Sequence, residues 1–158
     1  IIGSLLSGEL DIGVVFTPRH QPDLNFEPLG NIRYQMVSNH VVSLEQVVAQ
    51  HYILPNLSPY FNEEHNIQLP HLLDTPLTCS TSHSVENLLD SIPATSYVAE
   101  FTARKMHAER RSRVVCDAPV FEQPTYAVVH YRNRHVHSHL QIMNIFKSLM
   151  PGIQESQD

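Results

Sequence analysis

Apolar positions along this 158-residue chain switch repeatedly between helical spacing and unbroken or alternating runs. Ile2, Leu5 and Leu6 share one helix face, and Gly8 stands where a helix closes in the left-handed conformation. Residues 12–16 form an apolar run, which predicts a parallel strand covered on both faces. A helix at the very start implies a strand before it, so the first αβ unit is expected to be cut open. Residues 17–23, interrupted by two prolines, read as a polar loop. Residues 25–37 predict two extended stretches with a bend at Gly30 and Asn31. Ser43 and Gln46 have capping-box spacing, which predicts a helix burying Leu44, Val47 and Val48. Residues 52–54 read as a strand stopped by Pro55, and Ser58 and Pro59 as the cap and first residue of a short helix.

The same alternation continues downstream. Residues 77–80 predict a strand. Val85, Leu88, Leu89 and Ile92 fall at i, i+3, i+4 and i+7, a one-faced helix beginning near Thr81 or Ser82. Residues 96–99 read as a strand, 101–109 as a helix and 113–116 as a strand. Residues 124–131, rich in β-branched and aromatic side chains, read as a longer strand. Ile142, Ile145, Phe146 and Leu149 predict the buried face of a last helix, ended by Pro151 and Gly152. Strands alternating with helices predict parallel pairing and right-handed crossovers.

The segment Leu5-Leu6-Ser7-Gly8-Glu9-Leu10-Asp11 leading into Ile12-Gly13-Val14-Val15 resembles the first half of the effector-binding domain of LysR-type transcriptional regulators. Phe26-Glu27-Pro28-Leu29 is similar to that family's next strand. The resemblance implies an α/β fold of two Rossmann-like lobes, of the type 2 periplasmic-binding-protein-like kind, with the first lobe incomplete at its amino end. It implies that residues 1–37 and 123–158 form lobe I and residues 38–122 lobe II. A small effector would then bind between the lobes, and subunits would pair as a homodimer or homotetramer. DNA would be reached only through a helix-turn-helix upstream, in a cytoplasmic regulator. One departure stands out: the family's glycine-containing turn before the third loop is replaced here by Ser91-Ile92-Pro93-Ala94-Thr95.

Composition narrows the classes. A hydrophobic fraction of 42% and a charged fraction of 16% suit a folded domain. Sixteen acids against ten Lys and Arg leave a formal charge of −6, which opposes nucleic-acid binding by this segment itself. The one basic concentration, Arg104, Lys105, Arg110, Arg111 and Arg113, reads as a solvated helix face and turn. Two distant cysteines, Cys79 and Cys116, read as isolated buried thiols rather than a disulfide framework. No apolar run approaches the roughly 20 residues a membrane helix needs, so no membrane partner is expected.

Ligands of open α/β sheets settle beyond the carboxyl ends of strands, near free helix N–H groups. That rule selects Phe16, Thr17 and Arg19 after the first strand, and Ser80, Thr81, Ser82 and His83 before the one-faced helix. It also selects Glu100 and Phe101 after the strand at residues 96–99. The resemblance places a small effector at matching loops. The hydroxyls and histidine at 80–83 suit a carboxylate-like effector, although Thr81 or Ser82 capping its own helix explains them equally well. Thr17 and Arg19 also read as a solvated loop, and Glu100 as a structural ion pair. Tyr126 is a candidate cleft wall or a core tyrosine.

Three alternatives are less well supplied. His135, His137 and His139 have strand-like metal spacing, but no cysteine or carboxylate completes a set nearby, so they read as surface histidines. Ser82, His83 and Asp90 lack the elbow of a serine hydrolase, and no dinucleotide or phosphate-loop glycine pattern occurs. Catalysis and cofactors are therefore not expected. A solute-binding protein of a transporter shares the implied fold and stays open as an alternative function.

Overall fold

Gly8 adopts φ 80° and ψ 12° and closes helix α1 (Ile2–Ser7), its N–H donating to the Leu5 carbonyl. The computed structural model describes residues 1–18 and 21–149. These divide into two compact units, one built from residues 1–32 and 123 onward, the other from residues 33–122. Strands β1 (Ile12–Val15), β2 (Leu24–Ser38), β3 (Tyr52–Pro55), β4 (Leu77–Cys79), β5 (Thr95–Ala99) and β7 (Phe121–His130) hydrogen-bond in the order β1-β7-β2-β5-β3-β4. The short strand β6 (Arg113–Val114) pairs with β2.

The first unit packs its sheet between α1 and α5 (His137–Leu149). Leu29, Ala127, Val129 and Met143 form one core with Ile12, Val14 and Phe146; Leu5, Leu24 and Val128 form the other with Ile2, Val15 and Phe26. Both faces of β1 thus meet apolar neighbours, but its direction differs from expectation. β1 runs antiparallel to β7, with Ile12 opposite Val129 and Val15 opposite Tyr126. An apolar run reports burial and carries no information on strand direction. In α5 His139 and Met143 are the buried residues among those described, while Ile142 and Ile145 are exposed, so the expected stripe is rotated. The expected stop at Pro151 and Gly152 lies outside the described residues, as does the side chain of Leu149.

The second unit holds helices α2 (Pro59–Gln68), α3 (Ser82–Ser91) and α4 (Glu100–Ala108). Val85 and Leu89 of α3 and Ala103 and Met106 of α4 share a core with Val37, Ile53 and Val98. Elsewhere in the unit, Phe61 of α2 meets Tyr34, Tyr97 and Phe121 edge-on, with ring centroids 5.3, 5.4 and 5.3 Å apart. The sheet is mixed: β3 pairs parallel with β4 and β5, while β2 pairs antiparallel with β5 and β6. Uniformly parallel pairing is thereby corrected.

Three further expectations change. Residues 24–38 are one strand, not two, because Gly30 at φ 126° absorbs the irregularity without ending it. The helix expected after Ser43 is one tight turn at Leu44–Gln46, and Val48 is exposed. The capping box itself forms, with Gln46 Oε1 accepting from the Ser43 N–H at 3.3 Å, and the Asp117 carboxylate accepts the free Leu44 N–H at 2.9 Å, but the chain turns extended at Val47 after this one turn. Both cysteines are free, yet only Cys79 is half-buried and Cys116 is exposed, against the expectation of two buried thiols. No helix among the described residues is long and apolar enough to cross a membrane.

Candidate functional site

Parallel strands β3 and β4 end level with one another, since Pro55 lies opposite Cys79. Beyond them the chain must leave the sheet, and the two loops diverge around a hollow of about 410 Å³. Ser58 starts α2 beside it, accepting the Phe61 N–H at 3.1 Å, with Pro59 at the first helical position. Asn62 and Asn66, one helical turn apart on α2, both line the hollow, as do Asn56, Thr78 and Ser80. Asn62 Nδ2 donates to Asn56 Oδ1 at 2.8 Å, and the Asn56 N–H donates to the Cys79 carbonyl at 2.7 Å. The lining contains no charged side chain. Such a set, which also includes the free Cys79 thiol, can donate to and accept from a polar guest.

Of the residues selected from sequence, Ser80 to His83 occupy this same end of the unit. Ser80 lines the hollow. Thr81 caps α3, its Oγ1 accepting the Ser84 N–H at 3.2 Å and lying 2.8 Å from the Ser84 hydroxyl. Ser82 is exposed at the first position of α3, and His83 Nε2 lies 3.2 Å from the Asn87 amide. Glu100 sits at the start of α4, its side chain only 11% exposed. One carboxylate oxygen receives Arg104 at 2.9 Å, Arg33 at 3.3 Å and Gln35 at 3.4 Å. Arg33 Nε in turn lies 2.9 Å from the Glu122 carboxylate, an ion pair without hydrogen-bond alignment. Phe101, beside it, is 75% exposed.

In the first unit, Phe16 is half-buried and Thr17 exposed, directly after β1. Tyr126 pairs with Val15 across the β1–β7 ladder and is half-buried. Arg19 lies outside the described residues. His135 and His137 are exposed, while His139 is largely buried and its Nδ1 has no partner among the described residues, so the three do not share an environment. Asp90 is held in ion pairs with Arg111, which keep its carboxyl below the usual range, well away in role from any base for Ser82.

The asparagines at 56, 62 and 66 were not among the residues selected from sequence. The rule of strand ends applied equally to the loop after β3, and the i, i+4 spacing of Asn62 and Asn66 was the available signal. Buried groups nearby are structural. His65 of α2 bonds the Tyr52 hydroxyl through Nε2 at 2.8 Å, and burial, aided by His71, pulls its pKa down to about 4. Burial likewise pushes the Tyr52 and Tyr97 hydroxyls up, so both stay protonated.

Solved structures share this architecture. The bromide-bound regulatory domain of HypT from Salmonella typhimurium matches with a TM-score of 0.71 at 15% identity, over 94% of this chain and 78% of that one. The regulatory domain of MetR from N. meningitidis gives 0.66 at 16% identity, over 96% and 77%. That of CcmR from Synechocystis PCC6803, in complex with 2-PG, gives 0.65 at 12% identity, over 96% and 79%. No curated relative matches by sequence. The fold is therefore the type 2 periplasmic-binding-protein-like α/β fold of these regulatory domains. The family model described as the LysR substrate binding domain matches residues 1–146, and the chain belongs to that family.

Proposed function

We propose that this chain is the effector-sensing part of a cytoplasmic LysR-type transcriptional regulator. Its two compact units would be the two regulatory lobes, and its guest a small polar or anionic molecule, carboxylate-like in its recognition. The observation carrying this reading is the hollow at the ends of β3 and β4, where asparagine amides and the Ser80 hydroxyl converge beside the amino end of α3. Neutral donors in a concave site orient a small guest without requiring it to be charged. The bromide-bound HypT domain offers a parallel for anion binding within this fold. Family membership favours regulation over solute transport, and gives no reason to assign catalysis.

Effector binding would act by favouring one arrangement of a homodimer or homotetramer, and could shift it only by its differential affinity for the two states. DNA would be bound by a helix-turn-helix module elsewhere in the regulator. The test is calorimetric titration of the full-length protein with a panel of small carboxylates. A binding carboxylate should lose about tenfold in affinity when Asn62 and Ser80 are both changed to Ala. A ligand whose affinity is untouched by that pair of changes would refute the site.

A further inference from the structure

A second hollow, of about 430 Å³, lies within the same unit but at the other end of its strands. Ser38, the last residue of β2, pairs with Thr95, the first of β5, and lines this hollow. The asparagine hollow lies instead beyond the last residues of strands that run parallel with β5. The floor is rigid. Ser38 Oγ accepts from the Val41 N–H at 3.1 Å and from the Thr95 hydroxyl at 2.8 Å. Asn39 Nδ2 donates to the Leu89 and Ile92 carbonyls while its Oδ1 accepts from the Ala94 N–H. That fixes the amide's orientation, and His40 Nδ1 lies 3.2 Å from both Asn39 Oδ1 and the Ser38 hydroxyl.

The charge of the lining is one-sided. His40, His107, Arg110, Arg111 and Arg113 line it, and no Asp or Glu does. Arg111 is already neutralised by Asp90, Glu109 and Glu86. Arg110, Arg113 and His107 make no ion pair among the described residues. Between the two unpaired arginines, Ser112 is only 5% exposed and its hydroxyl has no hydrogen-bond partner among the described residues. A buried hydroxyl without a partner costs stability unless something satisfies it.

Arg110 adds an independent sign. The Arg111 N–H bonds the Met106 carbonyl and the Arg110 N–H the His107 carbonyl, a Schellman ending of α4. Arg110 occupies its left-handed position at φ 59°, where glycine is the unstrained choice. Arg110, a cationic side chain at a position of backbone cost, lines this basic hollow.

We propose that this hollow binds a phosphate-class dianion, either inorganic phosphate or the phosphoryl group of a small metabolite. Two unopposed guanidinium groups call for two negative charges, and their forks match tetrahedral oxyanion geometry. Ser112 would supply the neutral donor.

Titration calorimetry of the full-length protein with inorganic phosphate, against chloride at matched ionic strength, tests this. Phosphate should bind saturably, and Arg113→Gln should weaken it about tenfold or more. Arg110→Gly should weaken it comparably while raising the melting temperature, because glycine relieves the left-handed strain; a merely structural Arg110 cannot produce that opposed pair. Ser112→Ala should reduce affinity without loss of stability. Arg104→Gln, outside the hollow, and Asn62→Ala, in the other one, should leave phosphate binding unchanged. Glycerol phosphate binding more tightly than phosphate would assign a metabolite, and equal or weaker binding the free ion. Absence of saturable binding, or equal weakening by Arg104→Gln, overturns the site. Loss with Asn62→Ala but not with Arg113→Gln also overturns it, while leaving the proposed effector hollow standing.

Discussion

The first unit buries aliphatic side chains on both faces of its sheet, whereas the second sets an aromatic cluster of Tyr34, Tyr52, Phe61, Tyr97 and Phe121 around a buried histidine. Aliphatic packing is non-directional and indifferent to pH. Aromatic packing fixes ring orientation, and its polar tips need partners: the Tyr97 hydroxyl donates to the Pro119 carbonyl at 2.8 Å and the Tyr52 hydroxyl meets His65. The two hollows proposed to bind ligands lie in the second unit, as does His65, whose pKa burial displaces below neutrality; the first unit has hollows of its own, the larger one between β1 and α5.

The contrast can be broken most severely at Phe61. Phe61→Ala removes the ring that three aromatic neighbours contact and should cost about 3–5 kcal/mol, read by urea denaturation. Met143→Ala in the aliphatic core should cost less, about 2 kcal/mol, because methionine packs adaptably and its neighbours can close in.

The histidine sharpens the contrast by pH. Folded His65 titrates near 4 and the unfolded side chain near its ordinary 6.5, so the unfolded state binds the extra proton first. Stability contributed by neutral His65 is complete above about pH 6.5 and lost progressively as pH falls toward 4. Melting curves between pH 6.5 and 5 should therefore slope less steeply for His65→Gln than for the unsubstituted protein. Identical slopes would show that the buried imidazole is not the titrating group.

The smallest effect concerns the loop that leads into α3. Thr81→Ala should cost about 1 kcal/mol through loss of the cap on Ser84 N–H. Its effect on carboxylate affinity should be slight beside that of the Asn62 and Ser80 pair. A larger loss of binding than of stability would move Thr81 from helix cap to ligand contact.

Local chemistry was readable wherever its partners are near in sequence. Gly8 closes α1, Ser58 caps α2 and Thr81 caps α3, each through a bond spanning three residues. The Ser43 capping box was readable in the same way, but not that the chain turns extended at Val47 after a single turn. In the candidate site, Ser80 followed from the rule of strand ends. Asn56 and Asn62 emerged only when β3, β4 and α2 came together, since an asparagine in a turn and one on a helix carry no shared signature.

Apolar periodicity, caps and turn residues determined by themselves that this chain alternates strands and helices and where most of them begin; the resemblance to a family rested on the motif at residues 5–15 and on residues 26–29. Those signals are written within about four residues, the reach of helical bonds and turns. Strand direction, the rotation of α5, the single long β2 and the two hollows were decided by the tertiary structure alone. Each depends on which distant segment supplies the neighbouring hydrogen bond or covers the face, and a burial pattern is the same whichever neighbour that is.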